Sequence, residues 1–429
     1  MKVLSKRILI ILVLLIPFQD LVNSFLFKIG LPYGMIFFLG VMKEIMIFLL
    51  GLIFIIHNKG KIPKGLVAIY LIILYVFVLF LLHDLPFDVK LAGLRQYLIL
   101  FISLVAGYFI GLEHWRKICQ SKAFVLVAAL FVVFCFLQYF ILPLSIFKDL
   151  FPILDMKREA LNLETSNEHY DTGLPVNYMG EAGERMLGPF NEPLYTAYFA
   201  LPFFNYNLWA YLETKKNDKL LIALLFFLII MLSQTRAVIL MAIFYFLFCF
   251  KSMFNIKLLL YAIVGVVLVL LFKHEWIMSL VESLLTTEGR SADHFLAYVI
   301  GIQLILSNLW GTGLGSGSAI TTFLSGNNAV SLSVENAFIN MSLDLGVIIT
   351  LSFLITLIFG FYSGEKNRNK IIHKTPSPYN ILILQFVLMG FLAPHIFTIR
   401  VIIPYMFIIG LAFKESYNEG LHNNYINDK

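Results

Sequence analysis

What most limits the fold of this chain is a repeated pattern: apolar runs of about 20 residues, nearly free of charge, each long enough for an α-helix to cross the roughly 30 Å hydrocarbon layer. Such runs recur from one end of the 429 residues to the other. They are continuously apolar rather than alternating residue by residue, which favours helices over a membrane barrel. Composition agrees. Hydrophobic residues make up 60% and charged residues 14% of the chain, a balance that a soluble core with its polar surface does not have.

Apolar runs and their breaks predict spans at 8–27, 35–56, 66–82, 91–112, 123–143, 194–212, 220–232, 237–250, 258–272, 346–363, 381–394 and 401–413. The expectation is therefore an all-α polytopic membrane protein of about a dozen helices, forming one integral membrane domain over 1–429. No repeat, low-complexity tract or linker divides it. The opening MKVLSKRILIILVLLIP has the charged-then-apolar shape of a signal peptide but no small-x-small cleavage site, so it reads as an uncleaved first helix.

The net charge of +6 does not point to nucleic acid, because the basic residues sit between apolar runs and form no cluster. They set orientation instead. Lys2, Lys6 and Arg7, then Lys59, Lys61 and Lys64, Arg116, Lys117 and Lys122, Lys215, Lys216 and Lys219, and Lys366, Arg368, Lys370 and Lys374 fall in short connections on one side. The positive-inside rule makes that side cytoplasmic and puts both termini there. Two large loops, 144–193 and 273–345, then face outward, beside what would be one outward cavity. The stretch Phe295–Trp310 is apolar enough to be a thirteenth span, but crossing there would put the Lys366–Lys374 cluster outside. It is kept outward as an interfacial helix, together with the apolar face formed by Trp276, Ile277, Leu280, Val281, Leu284 and Leu285.

Four places carry candidate chemistry. Between Lys219 and Lys251 two apolar legs flank the turn SQTR, and at ~1.5 Å per residue each leg reaches only about 24 Å. Arg236 then lies below the outer surface, where a cation either marks a functional cavity or snorkels to the headgroups. The first outward loop ends in GERMLGPFNEP, placing Arg185 before a helix that Asn191 is positioned to cap, and its guanidinium is either a bidentate phosphate ligand or a solvated charge. The second loop carries EGRSADHF, with Arg290, then GTGLGSGS, whose glycines read as a mobile loop and not a nucleotide cradle because no strand precedes them. It ends in VENAFINMSLDLG, where Glu335 is a general base or a helix-capping acid and Asn336 a cap or a sugar-hydroxyl ligand. Lys43, Glu44 and Arg95 are charges inside predicted spans, more often pairing or positioning groups than catalysts. The histidines show no metal-ligand spacing, and no cofactor motif is present. Cys119, Cys135 and Cys249 fall in or beside apolar runs and read as packing residues.

In order and spacing these segments, clearest from Arg185 to Phe361, resemble the bacterial O-antigen polymerase and O-antigen ligase superfamily of membrane glycosyltransferases. That resemblance implies a GT-C-like fold in the bacterial inner membrane. It implies metal-independent, cofactor-free transfer of sugars carried on undecaprenyl pyrophosphate at the periplasmic face, with a chain-length regulator as a further candidate partner. It assigns Arg185, Arg236 and Arg290 to the pyrophosphate. Where ligases commonly have His-Asn, this chain reads Glu335-Asn336, which favours polymerase over ligase. A lipid-linked oligosaccharide flippase is the alternative of another class, and the absence of two matching halves weighs against it.

Overall fold

The computed structural model describes residues 2–57, 63–119, 121–142, 144–153, 156, 185–253, 290–316, 336–368, 377–392 and 394–427. Among them the secondary structure is entirely helical, without strands. The helices in chain order are α1 (Lys2–Lys28), α2 (Tyr33–His57), α3 (Val67–Leu82), α4 (Phe87–Cys119), α5 (Lys122–Phe136) and α6 (Leu144–Leu150). There follow α7 (Pro193–Thr214), α8 (Asn217–Leu232), α9 (Arg236–Met253), α10 (Arg290–Ser307), α11 (Ala337–Leu345), α12 (Val347–Arg368), α13 (Pro378–Leu392) and α14 (Ile399–Asn427). Each predicted span falls on a helix except 258–272, which lies outside the described residues, as do most of 144–193 and the apolar face at 276–285.

Four helical stretches are long and apolar enough to cross a membrane: Gly34–Ile53, Phe87–Leu112, Lys122–Ile141 and Val347–Glu365. Val67–Leu82, Arg236–Cys249, Tyr298–Ser307 and Pro378–Leu392 are shorter apolar helices. Large apolar side chains such as Phe37, Phe38, Leu71, Leu74, Leu81 and Ile355 are exposed along these helices, the pattern of a protein surrounded by lipid and not by water. The chain is in this sense a membrane protein.

The helices pack as two compact units, one of Met1–Met46 with Arg116–Thr286 and one of Ile47–Trp115 with Thr287–Lys429. Each is built from two separated segments. A division of that kind leaves no linker for composition to mark.

In the first unit α7 lies against α8 and α9, and α5 against α1 and α8. Aromatic rings fill the space between them: Phe131 meets Phe199 at 4.9 Å and Phe226 at 6.3 Å between centroids, and Phe203 stacks on Phe226 at 5.0 Å. Charge is buried here as well. Lys43 donates to Gln19 Oε1 and to the Gly40 carbonyl, Gln19 in turn donates to the Leu39 carbonyl, and Glu44 is buried beside them. Lys43 thus has the pairing role that the sequence suggests for it.

In the second unit α12, α13 and α14 pack together, and α11 sits among α10, α12 and α13. α4 and α14 cross with their backbones in contact: a methyl group on Gly107 would strike the Phe407 carbonyl, and one on Gly410 the Leu104 carbonyl. Small residues at such a crossing let two helices approach where lipid offers no hydrophobic drive. Further along, α4 breaks at Gly111, whose φ of +69° is outside the helical range. The Lys414 ammonium donates to the nearby Phe109 carbonyl at 3.0 Å.

Candidate functional site

The first unit holds two of the predicted arginines, and it uses them differently. α8 and α9 are 16 and 18 residues long, about 24 and 27 Å at the usual rise. The short legs expected around SQTR are therefore present. Ser233, Gln234 and Thr235 connect them in a tight turn, with Gln234 in the left-handed region at φ +54°.

A strap, Arg185–Phe190, is threaded against that turn. The Met186 amide donates to the Leu232 carbonyl at 3.0 Å. Arg185 donates from Nε to the Ser233 carbonyl at 3.0 Å and from Nη2 to the Gln234 carbonyl at 3.1 Å. These carbonyls belong to the end of α8, where helix geometry leaves acceptors unpaired and the macrodipole favours a cation. The middle of the strap is held from the opposite side. Gln138, buried, accepts from the amides of Leu187 at 3.0 Å and Gly188 at 3.2 Å. Thr196 of α7 donates to the Leu187 carbonyl. Gly188 sits at φ +60°, and a methyl there would press on Thr196 at 2.6 Å and on Cys135 Sγ at 3.1 Å. Phe190 closes the strap by packing on Phe199 and Phe131.

Gln138 lies in a π-helical turn, Leu137–Ile141, that continues α5, marked by the bond from the Leu142 amide to the Leu137 carbonyl at 2.9 Å. Such turns gather at functional sites. The expected Asn191 cap is corrected: Asn191 occupies a left-handed conformation at φ +52°, and the N-cap position is taken by Glu192, which makes no capping hydrogen bond, ahead of Pro193. Proline at the first helical position removes one of the N–H groups that a cap would otherwise have to satisfy.

Arg236 is the first residue of α9. Its side chain is exposed and bonds to none of the described residues. A cation at a helix N-terminus gains nothing from the macrodipole, so helix stability does not account for it. An anion there would meet the guanidinium and the free amides of the first turn together.

The second unit holds the remaining candidates. Asn336 is the N-cap of α11: its Oδ1 accepts from the Phe338 amide at 2.9 Å and the Ile339 amide at 3.0 Å, while Nδ2 points to the Phe391 carbonyl at 3.4 Å. Of its two sequence readings, the structure displays capping. Glu335 lies outside the described residues. Arg290 opens α10, a single helix packed on α11, and Tyr298 of that helix donates to the Phe391 carbonyl at 2.6 Å. Arg95 is exposed on α4.

Residues 311–316 of the glycine motif, which the sequence reads as part of a mobile loop, form a closely packed turn. A methyl on Gly93 of α4 would lie 2.5 Å from the Gly315 amide nitrogen, and one on Gly311 would lie 2.6 Å from that of Gly346. Gly311, Gly313 and Gly315 all have φ near or above +88°, so they serve turning and close approach together. Gly317 lies outside the described residues. The Thr312 amide donates to the Leu343 carbonyl at 2.6 Å, and the Thr312 and Ser316 hydroxyls bond each other. Under this turn sits Asp344, 2% exposed, whose two carboxyl oxygens accept from Tyr97 at 2.7 Å and Ser316 at 3.2 Å.

Sequence reasoning missed Gln138, Tyr97 and Asp344. The available signal was weak but physical: an amide at 138 and a carboxyl at 344 inside otherwise apolar stretches have to be satisfied by something distant. Compared with known proteins, the chain matches no family model and no curated protein.

Proposed function

We propose that this chain is a polysaccharide polymerase of the bacterial inner membrane, a metal-independent glycosyltransferase of about a dozen spans and GT-C type with both termini cytoplasmic. It joins repeat units carried on undecaprenyl pyrophosphate at the outer face. The observation that carries the reading is Arg236: an exposed guanidinium with no protein partner among the described residues, at the first turn of a short helix. That placement suits an anionic leaving group, since preorganised donors stabilise charge that develops as a bond breaks.

In this scheme an acceptor hydroxyl gives its proton to Glu335 and its oxygen attacks the anomeric carbon of the lipid-linked chain. The bond from that carbon to the pyrophosphate oxygen breaks, and the electron pair leaves with the lipid pyrophosphate, which Arg236 binds; the resemblance adds Arg290 to that role. The order of the motifs RMLGPFNEP, SQTR, GRSADHF, LWGTGLGSGS and VENAFINMSLDLG supports the assignment. The Glu335-Asn336 pair favours polymerase over transfer to lipid A core.

The test is Arg236→Ala in cells, with polysaccharide resolved on a gel and protein quantified in the membrane. Long chains should collapse to a single repeat at unchanged protein level, and normal ladders would overturn the assignment. Purified protein in liposomes separates the flippase alternative, which moves lipid-linked repeats across the bilayer without forming a glycosidic bond.

A further inference from the structure

We infer that Arg185 is a positioning residue rather than an anion ligand: together with Gln138 it sets the place of Arg236 by bracing the α8–α9 turn through the Arg185–Phe190 strap. The inference deepens the reading of Arg236 as the pyrophosphate ligand and rests on it.

Arginine grips phosphate bidentately through two parallel N–H groups on one edge of its planar fork. The Nε–Nη2 edge of Arg185 is such an edge, and it is spent on the carbonyls of Ser233 and Gln234. Those two carbonyls belong to successive residues of a three-residue connection. With both peptide planes fixed, only the torsions around Thr235 separate the brace from the backbone of Arg236. The strap is itself anchored. Gln138 accepts from two consecutive strap amides, Thr196 donates to the carbonyl between them, and Phe190 is wedged among rings of the unit. One end of this chain of bonds is a buried amide on α5 and the other is the turn that carries the exposed guanidinium. A ligand left on an unbraced turn would have to be ordered on each binding event, at a cost in affinity and rate.

The experiment places a cysteine at Ala237, beside Arg236, in the purified full-length protein and follows its alkylation by N-ethylmaleimide. The native thiols react slowly in comparison, since Cys135 and Cys249 are buried and burial raises the Cys119 thiol well above its ordinary range. The native thiol of Cys249, fully buried on α9, reports whether the fold is kept, since it reacts quickly only when the unit opens. Two charge-assisted bonds hold the turn, so Arg185→Ala should speed alkylation at 237 by about tenfold or more. Gln138→Leu should speed it as well, and Arg185→Lys, which keeps the charge but loses the fork, should fall between.

The rate at Cys249 stays low if the fold is intact. Where Arg185→Ala raises it, Arg185→Lys and Gln138→Leu make the same comparison with a milder change. Unchanged rates at 237 in all three variants overturn the brace. The readout needs no catalysis, so the two ideas fail separately: a responsive turn with normal polysaccharide ladders in Arg236→Ala keeps the brace and removes the polymerase reading.

Discussion

The two units secure a non-helical segment by opposite means. In the first, side chains reach across to backbone: a guanidinium and a buried amide hold the strap Arg185–Phe190 through four hydrogen bonds. In the second, backbone lies directly on backbone at Gly93, Gly311, Gly315 and Gly346, and one carboxyl group, Asp344, collects the hydroxyls around it. Both solve one problem. Non-helical chain packed into an apolar protein has to pair every N–H and C=O. The polar solution leaves a turn whose position depends on a few distant groups. The steric one leaves a turn that tolerates no added atom.

That contrast predicts an order of sensitivity. Gly93→Leu should be the most damaging, because its side chain meets the Gly315 backbone, which cannot swing aside; about 3 kcal/mol is expected from overpacking, read as a large fall in thermal stability in detergent. A loss no greater than that of an exposed α4 substitution would break the steric description of the second unit. Asp344→Ala follows, at about 2–3 kcal/mol, since the Tyr97 and Ser316 hydroxyls lose a charged or strongly polar acceptor. Asp344→Asn, which keeps one oxygen, should recover roughly half of that. Smallest is Tyr97→Phe, about 1 kcal/mol, because Asp344 keeps the Ser316 bond. If Tyr97→Phe equals Asp344→Ala in a melting curve, the carboxyl acts through the tyrosine alone and the turn at 311–316 does not depend on it.

The helices were legible because apolar length is written locally: α2, α4 and α12 can be read from composition alone. The turn carrying Arg236 was legible for a related reason, since the shortness of α8 and α9 follows from counting residues between Lys219 and Lys251. What holds these pieces was not. Gln138 finds the strap 49 and 50 residues away, and Tyr97 finds Asp344 at a separation of 247. No local period encodes such a partner. Arg185 shows a complementary limit: its place before a helix was readable, but its bonds to the Ser233 and Gln234 carbonyls, 48 and 49 residues away, were not. Glycine misleads in a third way, because Gly311, Gly313 and Gly315 permit mobility and close packing equally well, and only the neighbour decides. The division into two units, each of two separated segments, has no single boundary that a sequence could mark.

The π turn at Leu137–Ile141 has a consequence for what can vary in this chain. It accommodates one residue more than an α-helical turn would, so the helix keeps a count as well as a composition. Excising a single residue there would return the turn to α-helical winding and take away the widened geometry in which Gln138 meets the amides of Leu187 and Gly188. Substitutions on the lipid-facing side of α5, at Val125, Leu126 or Leu130, leave that count untouched. A lineage of such chains is thus free to drift in the identity of its apolar residues while remaining intolerant of a one-residue deletion at this place.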